Sequence, residues 1–108
     1  MSNDTGTWRA ITLEELRSLV AEELQRCSPE DVALFAKIKI EPRKVELERG
    51  SLTESVFVIA EIGARVLFYD DVEEDFEVAT PDRSGVIRNI TGQFELRHAL
   101  AQIRIGSR

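Results

Sequence analysis

The sequence predicts an α+β domain in which an antiparallel sheet of three or four strands carries helices on one face. Three observations predict it. Two stretches near the N-terminus, from Thr12 to Leu24 and from Ser28 to about Phe35 or Lys37, repeat apolar residues at helical spacing behind recognisable caps. From Ile38 to Tyr69 the period falls to two, and β-branched and aromatic residues concentrate in Val56–Ile62 and Arg65–Tyr69. A last segment, Gln93 to Ile103, returns to helical spacing. The predicted order is α-α-β-β-β-α, with the C-terminal helix packed on the sheet.

The first helix is marked by Thr12 as N-cap, by Glu15 three residues on as its capping-box partner, and by Ile11 placed to staple onto Leu16. Leu13, Leu16, Val20 and Leu24 then make an apolar stripe suited to the core. Ser28 caps the second helix, and Pro29 occupies its first position, where a missing N–H costs nothing. Ile38 and Ile40 alternate with charged neighbours, as do Val45 and Leu47, but the two runs differ in parity across Pro42-Arg43. A bulge or bend is required there if both runs face one core, unless Ile38 belongs to the helix end.

Arg49-Gly50-Ser51 breaks the pattern, and Val56–Ile62 reads as the central strand. Gly63-Ala64 then turns the chain into Arg65–Tyr69, so a β-hairpin is expected. Val86-Ile87 is a candidate for a brief further strand. In the closing helix Phe94, Leu96, Leu100 and Ile103 should point inward.

At 108 residues and 43% hydrophobic content, the chain fits one domain over residues 1–108, with residues 1–6 expected to be disordered. The longest apolar run, Val56 to Ala60, is far below the roughly 20 residues that cross a bilayer. No membrane association is expected. Cys27 is the sole cysteine, which excludes an intrachain disulfide and a cysteine-rich zinc site and suits a reducing cytoplasm. A net charge of −6 opposes general binding to nucleic acid, including a reading through Arg88, Arg97 and Arg104.

That charge is unevenly placed. The stretch YDDVEEDFE carries six acids, Asp70, Asp71, Glu73, Glu74, Asp75 and Glu77, while residues 83–108 hold five arginines against Glu95 alone. Asp71, Glu73 and Asp75 are spaced like the opening ligands of an EF-hand, but Phe76 stands where the loop needs glycine and Asp82 where it needs a bidentate glutamate. No metal and no cofactor are assigned. Catalytic equipment is also missing: His98 is the single histidine, the six glycines are scattered, and no nucleophile elbow or phosphate loop occurs. No catalytic residue is assigned, and a structural role is the default for Cys27, for His98, and for Trp8 and Tyr69 as partly buried aromatics.

Val72 and Phe76, four apart inside the acidic tract, would share one face of a helical turn and pin it to the body, with Asp71, Glu74 and Asp75 pointing outward. The six acids are accordingly the candidate partner-binding residues, offered to an unidentified basic protein. The alternative is a small divalent-metal-dependent hydrolase built on the same acids.

Asp71-Val72-Glu73-Glu74-Asp75-Phe76 and Gln93-Phe94-Glu95-Leu96, together with the apolar hairpin before them and SGVI between, resemble a group of small uncharacterised bacterial proteins. These share a D-[VI]-E-E-x-F element and a closing Q-x-E-L helix. Where that group usually has glycine before the phenylalanine, this chain has Asp75. The resemblance implies a compact bacterial domain, with no established activity, cofactor or site residue. Immunity or inhibitor proteins, which include acidic single domains of this size, are the analogous type.

Overall fold

The computed structural model describes residues 10–88 and 95–106. It comprises α1 (Leu13–Leu24), α2 (Pro29–Ile38), β1 (Lys39–Arg49), β2 (Leu52–Ile62), β3 (Arg65–Asp70), β4 (Asp75–Ala79) and α3 (Leu96–Gly106). The fold class is the expected one, α+β with an antiparallel sheet, ordered β1-β2-β3-β4. The expectations for residues 1–6, Trp8, Gln93 and Phe94 lie outside the described residues.

Local chemistry explains the helix starts. The Thr12 hydroxyl accepts from the Glu15 amide at 3.1 Å while the Glu15 carboxylate accepts from the Thr12 amide at 2.9 Å, closing the capping box. Ser28 accepts from the Asp31 amide at 3.2 Å, and Pro29 opens α2. The stripe of α1 centres on Leu16, with Leu19, Val20 and Leu24 partly buried around it, whereas Leu13 stays more than a third exposed. The α2 helix runs on to Ile38, one residue before the first strand. Asp31, buried in α2, accepts from Arg104 Nε of α3 at 2.9 Å, so an ion pair ties the second helix to the third.

The parity problem at Pro42-Arg43 is solved as a bulge. Lys39 pairs with Ala60 and Arg43 with Val58, so three residues of β1 face one of β2, and Val45 and Leu47 return to a common face with Ile40. Proline suits the site because the ladder is already broken there.

The sheet buries residues on both faces. On one, Ile59, Ala60, Leu67, Tyr69 and Phe76 meet Leu16, Phe35, Leu96, Ala99, Leu100 and Ile103 of the helices. On the other, Leu47, Val56, Val58, Val66 and Phe68 pack with Ile87. Among the described residues, no helix covers this second face. Instead, the chain leaving β4 at one edge of the sheet returns to the opposite edge, where the Ile87 amide donates to Glu46 O at 2.8 Å and the Glu48 amide donates to Ile87 O at 2.9 Å. Val86-Ile87 is thus a single parallel bridge to Leu47, shorter than the strand the sequence suggests.

Asp82 organises that return. Its Oδ1 accepts from the Ser84 and Val86 amides and the Ser84 hydroxyl, and its Oδ2 accepts from Arg88 Nε at 2.9 Å. These bonds to the charged form hold the Asp82 carboxyl well below the usual range, with the Arg88 contact the largest cause. Arg88 also pairs with Glu48. Gly85, at φ +84°, supplies the left-handed residue that the turn needs.

Candidate functional site

The acidic stretch is a β-hairpin, not a helical turn. Residues 71–74 form a four-residue turn, and Asp75–Ala79 is the fourth strand. The competing signal is a period of two: Phe76 and Val78 alternate with Asp75, Glu77 and Ala79, and pairing with the apolar β3 outweighs the i, i+4 spacing of Val72 and Phe76. Phe76 is anchored as the sequence suggests. It is buried, and its ring lies 5.0 Å from that of its cross-strand partner Tyr69, tilted by 53°. Val72 sits in the turn and remains exposed, so the anchor is one residue rather than two.

Asp70 builds the turn. Its Oδ1 accepts from the Val72 amide at 3.1 Å and the Glu73 amide at 3.3 Å, and its main-chain carbonyl accepts from the Glu74 amide at 2.7 Å. Its Oδ2 accepts from Arg49 Nη2 of β1 at 2.6 Å. Closure strains the chain at Glu74, which takes φ 60°, a left-handed conformation that glycine would adopt without strain. Asp71 acts elsewhere. Its Oδ2 accepts from the Ile11 amide at 2.9 Å, fastening the approach to α1 onto the hairpin.

Strand geometry then sorts the acids. Asp75 lies directly across from Asp70, and Glu77 across from Phe68, so all three carboxylates point to the second face of the sheet. They are 0%, 9% and 3% exposed for Asp70, Asp75 and Glu77 respectively. The outward orientation expected for Asp75 is therefore corrected, because a period-two strand starting at that residue turns its side chain inward. One oxygen from each carboxylate falls within 4.8 Å of the others. Burial first, then the charges of Asp70 and Glu73, push the Asp75 carboxyl up to about 6. The Asp70 hydrogen bond is the main reason that the Arg49 guanidinium is held protonated even more firmly than usual.

Glu73 and Glu74 are the exposed acids of the stretch, with Asp71 half-buried between the two groups. Beside them a groove of about 360 Å³ opens between α1, the hairpin and the start of α3. Leu19, Tyr69 and Phe76 provide its apolar part, while Glu23, Glu73, Glu74, Asp75 and Glu95 border it. Four acids thus surround an aromatic surface, since Asp75 lines the groove but turns its carboxylate to the second face. Arg26 pairs with Glu23 at 2.6 Å and Arg97 with Glu95 at 3.0 Å, offsetting part of that charge at the helical side. Desolvation and the surrounding acids, Glu74 and Asp71 foremost, push the Tyr69 hydroxyl up to about 12, so the ring presents a neutral phenol at any ordinary pH.

Sequence reasoning missed Glu23, Glu95, Leu19 and Arg49. The groove and the buried cluster assemble from α1, β1, the hairpin and the lead into α3, and no local signal links such distant segments. A second cavity of about 360 Å³, at the β1 bulge, is walled by Leu16, Val20, Phe35 and Ile59, with the Arg17–Glu41 ion pair at its border. Lys39 also borders it, so two bases face one acid and the cavity carries less charge, of the opposite sign, than the acidic groove.

His98 is exposed on α3. Cys27 is half-buried, its thiol pushed up by desolvation and by Asp31 and Glu23, which disfavours the reactive thiolate. No helix among the described residues is long and apolar enough to cross a membrane. No family model, curated protein or solved structure matches the chain.

Proposed function

We propose that the protein is a non-enzymatic interaction module that seats a basic side chain of a partner protein in the acidic groove beside the β3–β4 turn. The observation that carries this reading is the composition of the groove: the acids Glu23, Glu73, Glu74 and Glu95 around Leu19, Tyr69 and Phe76. A lysine or arginine is amphipathic in the complementary way. Its aliphatic stem covers apolar and aromatic surface, and its cationic head reaches the carboxylates. Acidic complementarity of this kind chiefly accelerates association and selects the partner.

The sequence resemblance and the acidic, single-domain character support placing the module in the bacterial cytoplasm, as an immunity or inhibitor type that masks a basic surface. The lone thiol of Cys27 suits a reducing compartment. The metal-hydrolase alternative would draw on Asp70, Asp75 and Glu77, whose carboxylates converge but are buried, which leaves a hydrolase little room to bring a substrate to an ion there.

Capture from native lysate at low and high salt, with the wild-type chain and a Glu73→Gln/Glu74→Gln double variant, tests the reading. The expected result is a salt-sensitive partner recovered by the wild type and depleted with the variant. Equal recovery of every protein by both baits would end it. The double change touches exposed side chains only, so folding should be unaffected.

A further inference from the structure

The cavity at the β1 bulge raises a separate question. Side chains do not close the space between α1 and the bulge, where about 360 Å³ remains within walls of Leu16, Val20, Phe35 and Ile59. Three of these belong to the core, with Leu16 0%, Ile59 2% and Phe35 7% exposed. The floor is therefore the core itself, and not the tips of surface side chains. Core atoms that face open space lack packing partners on that side, and an apolar guest would supply them. The volume lies in the range of small-molecule sites and is roughly twice that of an apolar cavity that takes up benzene.

The mouth sets the charge of that guest. Arg17, Lys39 and Glu41 border it, and Arg17 pairs with Glu41. Lys39 stands directly across from Ala60 in the ladder, so its side chain leaves β1 on the helix-covered face, the side on which the cavity lies. It has no carboxylate partner among the described residues. One cation is thus in excess at the rim of an apolar space, in a chain whose net charge is −6. Arg17 can add to it, because a guanidinium has five donors and can hold Glu41 and a second acceptor together. A cationic guest is disfavoured by this rim, and a small hydrated anion gains nothing from the apolar floor.

We propose that the cavity binds a small apolar carboxylic acid, with its hydrocarbon part against Leu16, Val20, Phe35 and Ile59 and its carboxylate at Lys39 and Arg17. A guest of roughly ten to fifteen non-hydrogen atoms suits the volume. The dissociation constant should be on the order of 10⁻⁴ M, as befits few buried atoms and an open mouth. The site shares no lining residue with the acidic groove, so it does not depend on that groove having a protein partner.

Titration of the full chain with phenylbutyrate, an aryl-alkyl acid of this size, followed by amide chemical shifts, tests the site. Saturable shifts centred on Leu16, Val20, Phe35, Lys39 and Ile59 are expected. Phenylbutyramide, which has the same shape without the charge, should bind about tenfold more weakly. Acetate, which lacks the apolar part, should give no saturable shift at the same concentrations. Lys39→Gln changes an exposed side chain and should stay folded. It should weaken phenylbutyrate by about threefold to fivefold, the worth of a partly exposed ion pair, and leave phenylbutyramide within about twofold. Shifts centred on Leu19, Tyr69 and Phe76, equal binding of the acid and the amide, acetate binding as tightly as phenylbutyrate, an acid affinity indifferent to Lys39→Gln, or no saturation at millimolar phenylbutyrate would each overturn the proposal.

Discussion

The turn and the strand of the acidic hairpin carry the same kind of side chain to opposite fates. In the turn, Glu73 and Glu74 stand in solvent, where each charge is hydrated and screened. In the flanking strand positions, Asp70, Asp75 and Glu77 are enclosed, and each ionised group must find a cation, a proton or a hydrogen bond inside the protein. Composition cannot distinguish the two groups. What separates them is the alternation of a strand, which turns every second residue toward the second face, and the return of the chain through Ile87 across that face. An acidic run is therefore two groups here, one in solvent and one enclosed by the fold.

The largest effect should come from breaking the element that both groups share. Phe76 is 3% exposed and packs its ring at a tilt against Tyr69, so Phe76→Ala should cost about 3 kcal/mol by chemical denaturation. Val72→Ala, at an exposed turn position, should stay within about 0.5 kcal/mol. Similar losses at the two residues would mean that the hairpin is held by the turn rather than by the strand.

The buried group should declare itself through pH. The carboxyl of Asp75 titrates at about 6 in the folded chain, above its unfolded value of roughly 3.9, so the folded state holds the proton more tightly. Below about pH 4 both states are protonated and Asp75 costs nothing. As pH rises through 6 the folded chain must ionise a buried group, and stability on the order of 2 kcal/mol is lost. Asp75→Asn removes that loss, so the variant should come close to the wild type near pH 4 and exceed it by about 1 to 2 kcal/mol at pH 7. Parallel denaturation curves at the two pH values, with a constant gap between the proteins, would place Asp75 in solvent.

How much of this could be read in advance follows from the range of each interaction. The caps at Thr12 and Ser28, the bulge at Pro42-Arg43 and the β2–β3 hairpin depend on neighbours a few residues apart, and the sequence declares them. The six acids were visible as candidates, but their sorting was not. Phe76 and Val78 already alternate with Asp75 and Glu77, yet charged residues on the buried side of a strand contradict the usual pattern, so the i, i+4 spacing of Val72 and Phe76 gave the more familiar reading. The contacts that define the site span greater distances: Arg49 with Asp70 is 21 residues away, and Ile11 with Asp71 is 60. No propensity or motif encodes such a pairing.

The smallest effect should sharpen the comparison from the exposed side. Glu74 holds φ 60° at the last position of the turn, where a side chain adds strain of about 1 kcal/mol that glycine avoids. Glycine also gives the unfolded chain more freedom, which returns part of that gain. Glu74→Gly should therefore stabilise the protein by only about 0.5 kcal/mol, with little dependence on pH, because the charge removed is hydrated in both states. Glu74→Gln keeps the strain and removes the same charge, so its stability should stay near that of the wild type. Against a basic partner the order reverses: both variants lose the carboxylate at the groove and should associate more slowly by a similar factor at low salt. A clear loss of stability in Glu74→Gly would show that Glu74 holds the turn through its side chain, and the division between a solvated turn and a buried strand would no longer describe the hairpin.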